Sequence, residues 1–260
     1  MPRFAANLSM LFTEYPVVER FDRAAAAGFE AVEFLFPYAE DLDAIRVALD
    51  RNGLEQILFN LPVGDFAAGD RGMANNPAKR DEFRDGVNRA IEIATKLGVR
   101  RINCLVGRDV PDVPHDVQWG TLKENLAQAA ERMQDAGVMQ LLEPLNPYDA
   151  PGYFVPTPSL GFKLVEEINH PNLFLEYDVY HAQRTEGNLV ATIREKLARI
   201  GHVQIADSPG RNQPGTGEIN YAYVLEALDE AGYSGWVSLE YKPSGQTETS
   251  LGWLKVWGYW

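Results

Sequence analysis

Phe-Arg-Asp-Gly-Val-Asn-Arg-Ala-Ile-Glu-Ile-Ala-Thr-Lys-Leu-Gly-Val-Arg-Arg-Ile-Asn-Cys-Leu-Val-Gly (83–107) shows the pattern on which the whole chain is built. Phe83, Val87, Ile91 and Ala94 recur at helical spacing. Gly98 stands where a helix would end in left-handed backbone, and the apolar run 101–107 reads as a strand. Apolar, β-rich runs at 4–9, 31–35, 55–60, 140–145, 173–178, 202–207 and 236–241 bring the strands to eight. Gly28, Gly53, Gly98, Gly137, Gly201 and Gly232 each read as closing the helix before the next strand. Short helix-to-strand turns demand parallel strands, and eight such units close a (β/α)8 barrel. The other parallel solution, an open doubly wound sheet, lacks the Gly-rich fingerprint after strand one that would support it. The expectation is an α/β fold, one TIM barrel over residues 1–260 with no second domain.

The predicted strand-to-helix loops are uneven. Long ones follow strands three (61–78), four (108–117), five (146–157) and seven (208–218), at the mouth where barrel active sites are built.

With a formal net charge of −13 and no basic run, the chain would repel nucleic acid and anionic membranes. No stretch approaches the ~20 apolar residues of a membrane span, and the N-terminus lacks a signal peptide's apolar segment. A cytoplasmic protein is expected. The lone Cys104 cannot form an internal disulfide and reads as buried and structural.

Four strands carry a polar residue near the C-terminal end: Glu143 in Gln-Leu-Leu-Glu-Pro-Leu, Asp178 in Leu-Phe-Leu-Glu-Tyr-Asp, Gln204 in His-Val-Gln-Ile-Ala, and Glu240 in Trp-Val-Ser-Leu-Glu-Tyr. An unpaired buried carboxylate costs several kcal/mol, so three together require a positive partner. Three carboxylates and an amide oxygen suit a hard divalent metal such as Mg2+ or Mn2+; zinc would want thiolate or more histidine. The structural alternative is a set of salt bridges to buried Arg or Lys. Glu143 and Glu240, flanking an α-hydroxy carbonyl, could also move a proton between adjacent carbons.

His181, three residues after Asp178, would sit at the mouth as a substrate-oxygen contact or a structural histidine. His115 and His170 read as surface residues, and His202 as packing low in the barrel. The glycine-rich loop 207–220 lacks the Gly-Lys-Ser/Thr of a phosphate loop, so no nucleotide cofactor is implied. Its Arg211, with Lys242 and Arg71, supplies candidate anchors for a small anion. The aromatic C-terminus, 252–260, would cap the barrel or pack on another subunit, which leaves a homo-oligomer open.

These segments resemble the hydroxypyruvate isomerase family, within the xylose-isomerase-like TIM barrels that also include ketose 3-epimerases. The resemblance runs end to end. It is carried by Phe-Ala-Ala-Asn-Leu-Ser-Met-Leu-Phe (4–12), Val-Glu-Phe-Leu-Phe-Pro-Tyr (32–38), and Asn-Leu-Pro-Val-Gly-Asp-Phe-Ala-Ala-Gly-Asp-Arg-Gly (60–72). Ile-Asn-Cys-Leu-Val-Gly (102–107), Pro-Gly-Thr-Gly-Glu-Ile-Asn-Tyr (214–221) and Glu-Tyr-Lys-Pro (240–243) add to it. The resemblance implies that Glu143 and Glu240 are the proton donor and acceptor. It also implies a metal-type site from Glu143, Asp178, Gln204 and Glu240, with Gln204 where related epimerases carry histidine. The implied reaction is interconversion of hydroxypyruvate and tartronate semialdehyde through an enediolate. A 2-oxo-tetronate isomerase or a ketose 3-epimerase is the nearest alternative. A metal-dependent endonuclease of this barrel type would need a basic groove, and an inactive sugar-acid binding protein would not need both glutamates.

Overall fold

The computed structural model describes residues 1–260 as a closed barrel of eight parallel strands in sequence order. The strands are β1 (Arg3–Asn7), β2 (Ala31–Glu33), β3 (Glu55–Asn60), β4 (Arg101–Cys104), β5 (Met139–Leu142), β6 (Leu173–Asp178), β7 (Ile200–Ile205) and β8 (Trp236–Leu239). Around them lie α1 (Val17–Ala26), α2 (Leu42–Asn52), α3 (Arg80–Leu97), α4 (His115–Asp135), α5 (Pro158–Ile168), α6 (Val179–Gln183), α7 (Leu189–Lys196) and α8 (Tyr221–Glu230); two short helices, α9 (Thr247–Ser250) and α10 (Gly252–Val256), follow β8. β1 pairs with β8, Ala5 opposite Ser238, which closes the ring. This is the single (β/α)8 barrel that the sequence pattern predicts.

α3 shows how the sequence sets the packing. Phe83, Val87, Ala90, Ile93, Ala94 and Leu97 form its buried stripe, and Asp81 and Glu82 sit in the first turn, where the helix dipole favours negative charge. Gly98 at φ +77° ends the helix, its N–H bonded to the Ala94 carbonyl. Burying each large apolar side chain contributes roughly 1.5–3 kcal/mol, which outweighs the modest helix propensities of the exposed face. The main apolar core lies between strands and helices. Cys104 is buried in it, and burial pushes its thiol up.

Two sequence expectations need correction. Gly201 does not close a helix: the helical turn Leu197–Arg199 runs straight into β7 at Ile200, and Gly201 lies inside that strand. Gly201 is small for another reason. A Cβ there would fall 2.6 Å from Leu141 Cδ2 and 2.8 Å from Phe174 Cβ, in the crowded barrel interior. The strands also end earlier than the apolar runs. Leu105, Val106 and Leu145 stay buried after leaving the ladder, because the mouth loops fold back over the strand ends.

Candidate active site

Glu143 directly follows β5, Asp178 ends β6, Gln204 is the penultimate residue of β7, and Glu240 directly follows β8. All four are buried. Asp178 stands opposite Gln204 in the β6–β7 register, so the set forms an arc around one side of the mouth.

The positive partner is Arg211. Its Nη2 contacts Glu240 Oε2 directly and lies 3.5 Å from Asp178 Oδ2, while Nη1 lies 3.8 Å from Asp149 Oδ2. The loop that presents Arg211 is wound around Asp207. That carboxylate accepts hydrogen bonds from the backbone N–H groups of Ser208, Gly215, Thr216, Gly217 and Ile219. The Arg211 N–H also donates to the Asp207 carbonyl at 2.8 Å, with Arg211 at φ +55°. The Lys242 backbone N–H donates to the Arg211 carbonyl at 2.7 Å; the Lys242 side chain itself is exposed. Arg71, on the loop after β3, donates to the carbonyls of Phe66 and Asp70 and lies 3.8 Å over the Phe66 ring. The structure thus brings Arg211 into the carboxylate arc and leaves Arg71 and the Lys242 side chain outside it.

His181 belongs to α6, the short helix that Asp178 caps by accepting from the Tyr180 N–H at 2.8 Å. Its Nε2 lies 3.5 Å from Asp178 Oδ2 and 3.9 Å from Glu143 Oε1, with no hydrogen-bond partner. Burial, and then the Arg211 charge, holds the imidazole well below its ordinary pKa, so the ring is neutral.

The carboxylates respond to the same surroundings in the opposite direction. Burial, then Glu240 and Asp178, pushes Glu143 well above its ordinary range. Burial pushes Glu240 up to about 8, with Arg211 opposing and Asp178 adding. Both carboxyls are thus held above the ordinary carboxylate range, which suits groups that give and take protons near neutrality.

Below the arc lies a second polar layer that the sequence reading did not assign. Glu33 accepts from Asn7 Nδ2 at 3.0 Å and from Gln204 Nε2 at 3.1 Å, and His202 Nε2 lies 2.5 Å from it. Burial raises Glu33, yet His202, Ser238 and Gln204 together hold it below its ordinary value. Asn7 Nδ2 also reaches Glu240 Oε1 at 3.4 Å, and Asn103 Nδ2 donates to Glu143 Oε2 at 2.8 Å. Both catalytic candidates are thus oriented by asparagines from other strands. The signal was present: Asn7, Glu33 and Asn103 are polar residues in apolar runs, as Glu143 is.

Two buried groups could hold a cation: Glu143, Asp178 and His181, and deeper, Glu33, Glu176 and His202. Gln204 Oε1 is buried without a partner, so the amide oxygen of the upper arc is free to ligate.

An eight-stranded parallel barrel with this carboxylate arc at its mouth defines a xylose isomerase-like TIM barrel, and residues 21–257 match that family's model. Over 98% of both proteins the chain is 46% identical to hydroxypyruvate isomerase of Escherichia coli, and 45% identical to 2-oxo-tetronate isomerase of Cupriavidus necator. A crystal structure from Brucella melitensis, described as a family 2 AP endonuclease, superposes with a TM-score of 0.96 at 43% identity over 99% of each chain. The chain belongs to the hydroxypyruvate isomerase family of these barrels.

Proposed function

We propose that this chain interconverts hydroxypyruvate and tartronate semialdehyde (2-hydroxy-3-oxopropanoate). The observation that carries the reading is the pair Glu143 and Glu240, buried at the barrel mouth on either side of Asp178 and Arg211. One carboxylate takes a proton from the C3 hydroxymethyl carbon, giving the enediolate, and the other carboxyl delivers a proton to C2. The C3 hydroxyl proton passes to the C2 oxygen, with the neutral His181 Nε2–H and Arg211 donating to the oxygens as negative charge develops.

Glu143, Asp178, Gln204 and Glu240 are the residues that would hold Mg2+ or Mn2+, which would polarise the ketone and hydroxyl oxygens when bound. Arg211 already places a cation against Asp178 and Glu240, so the chain carries part of this neutralisation itself. Catalysis by a chelated, metal-free preparation at a reduced rate follows from that arrangement.

A 2-oxo-tetronate substrate is the second reading, favoured by the 45% identical relative of that name. Comparing kcat/KM for the three- and four-carbon 2-oxo acids decides between them. Equal inactivity on both would remove the isomerase reading. No helix is long and apolar enough to cross a membrane, and we place the protein in the cytoplasm, acting on a small anionic 2-oxo acid with no nucleic-acid partner. The exposed Trp257 and Trp260 support a homo-oligomer contact at the C-terminus.

A further inference from the structure

A 2-oxo acid brings a carboxylate, attached to C2, whose negative charge needs a cationic partner of its own. Arg211 is poorly placed to take it. Its guanidinium is committed to Glu240 and Asp178, and an incoming carboxylate there would also meet Glu143 and Asp149.

Two other guanidiniums have no such commitment. Arg71 and Arg108 line one cavity of about 180 Å3, between the loops that follow β3 and β4. Neither makes an ion pair, in a chain with 37 acidic and 24 basic residues. Arg71 donates only to backbone carbonyls, and Arg108 Nε is buried with no acceptor at all. Of the acids on the same cavity, Asp70 turns to Lys79 (3.9 Å) and to the Asp65 N–H, and Asp109 is exposed. Burial, and then the charge of Arg108, holds Arg71 below its ordinary value, with the Asp70 charge opposing.

The backbone beside each arginine is locked. Gly72, at φ +106°, pairs with Val106, and a Cβ on it would fall 1.7 Å from the Leu105 carbonyl oxygen. Gly107, at φ +119°, leaves only 2.2 Å to Asn75 Oδ1, and Asn75 Nδ2 donates to the Arg108 carbonyl at 2.7 Å. Arg108 also bridges to Tyr153, whose hydroxyl donates to the Glu143 carbonyl at 3.0 Å. The backbone that carries the two arginines is therefore held in place, and Tyr153 ties the Arg108 backbone to the backbone of Glu143 at the mouth.

We propose that Arg71 and Arg108 form the carboxylate clamp of the substrate, the feature that selects a short 2-oxo acid over a neutral ketose. The clamp rests on the isomerase reading for its role, but its anion affinity can be measured without turnover. Two guanidiniums can hold both oxygens of one carboxylate, and truncating either one removes a charge-assisted pair without orphaning an acid of the protein.

The test is calorimetric binding of tartronate to the whole protein and to Arg71→Gln and Arg108→Gln, alongside hydroxypyruvate kinetics. Each variant should lose roughly 10- to 100-fold in tartronate affinity, with a matching rise in KM and a smaller change in kcat. Lysine at either position should restore part of the affinity. If the parent turns over hydroxypyruvate and both glutamine variants keep KM and tartronate affinity within about threefold, the clamp is overturned and the isomerase stands. If the parent binds tartronate through both arginines yet isomerises no 2-oxo acid, the anion site stands and the isomerase falls. Inorganic phosphate is the control for a free oxyanion: phosphate bound through both arginines without inhibiting turnover would separate this site from the substrate and overturn the proposal.

Discussion

His181 Nδ1 faces two donors on Asn146, the backbone N–H at 3.1 Å and the side-chain amide nitrogen at 2.7 Å. The amide cannot be reversed, because Asn146 Oδ1 already accepts the N–H groups of Tyr148 and Asp149. Nδ1 is therefore the lone-pair nitrogen, and Nε2 carries the proton of the neutral ring. A metal at Nε2 would need that proton moved to Nδ1, against two donors. This tautomer fits the proposed role of His181 as a donor to substrate better than that of a cation ligand, although it lies within ligand distance of Glu143 and Asp178.

Nitrogen-15 NMR of the labelled protein should find His181 neutral and Nε2-protonated from pH 6 to pH 8. His181→Asn should lower kcat by about 100-fold or more with the fold intact. A ring protonated on Nδ1, or a cationic ring, would contradict this assignment.

Gly72→Ala should cost at least about 2 kcal/mol in urea unfolding, since the residue sits at φ +106° against the Leu105 carbonyl. Gly245→Ala, at a position with open space around it, is the control and should leave stability unchanged. Equal behaviour of the two variants would show that the β3 and β4 loops are not locked.

Glu176 is buried with neither oxygen bonded, and burial, then Glu143 and Glu33, pushes it well above its ordinary range. The folded chain keeps a proton that the unfolded chain releases, so this group's contribution to stability falls as pH rises past the ordinary carboxylate range. Glu176→Gln keeps the shape and removes the titration. The variant should match the parent near pH 4.5 and exceed it at pH 8, in urea midpoints taken at both. A gap that shrinks with rising pH would mean that Glu176 is ionised and paired.

Arg211→Gln removes the cation lying against Asp178 and Glu240. Mn2+ affinity, read by electron paramagnetic resonance, should rise at least about 10-fold in the variant, because a guanidinium and a divalent ion compete for the same carboxylates. Unchanged affinity would place any bound metal elsewhere, the Glu33, Glu176 and His202 group being the next candidate.

Much of this was legible in the chain. Strand–helix alternation gave all eight strands, because a buried parallel strand is a short apolar run whatever its neighbours. The ends were overread where loop residues such as Leu105 and Val106 are as apolar as the strand they follow. Glu143, Asp178, Gln204 and Glu240 stood out as polar residues where apolar ones were due. The same criterion would have found Asn7, Glu33 and Asn103. The Arg71 and Arg108 pairing had no such signal: the two lie 37 positions apart on separate loops, and only the packing of Gly72 against Leu105 brings them to one cavity. Arg211 was legible as a candidate anion anchor; its placement among the carboxylates depends on how Asp207 winds the loop.

The central claim, that Glu143 and Glu240 move a proton between adjacent carbons, is tested most directly by proton NMR of hydroxypyruvate with the enzyme in D2O. The expected result is tartronate semialdehyde carrying deuterium at C2, with Glu143→Gln and Glu240→Gln each losing product formation by about 1,000-fold or more while still binding tartronate. Product formed at the parent rate by either variant, or no exchange and no product from the parent, would contradict it.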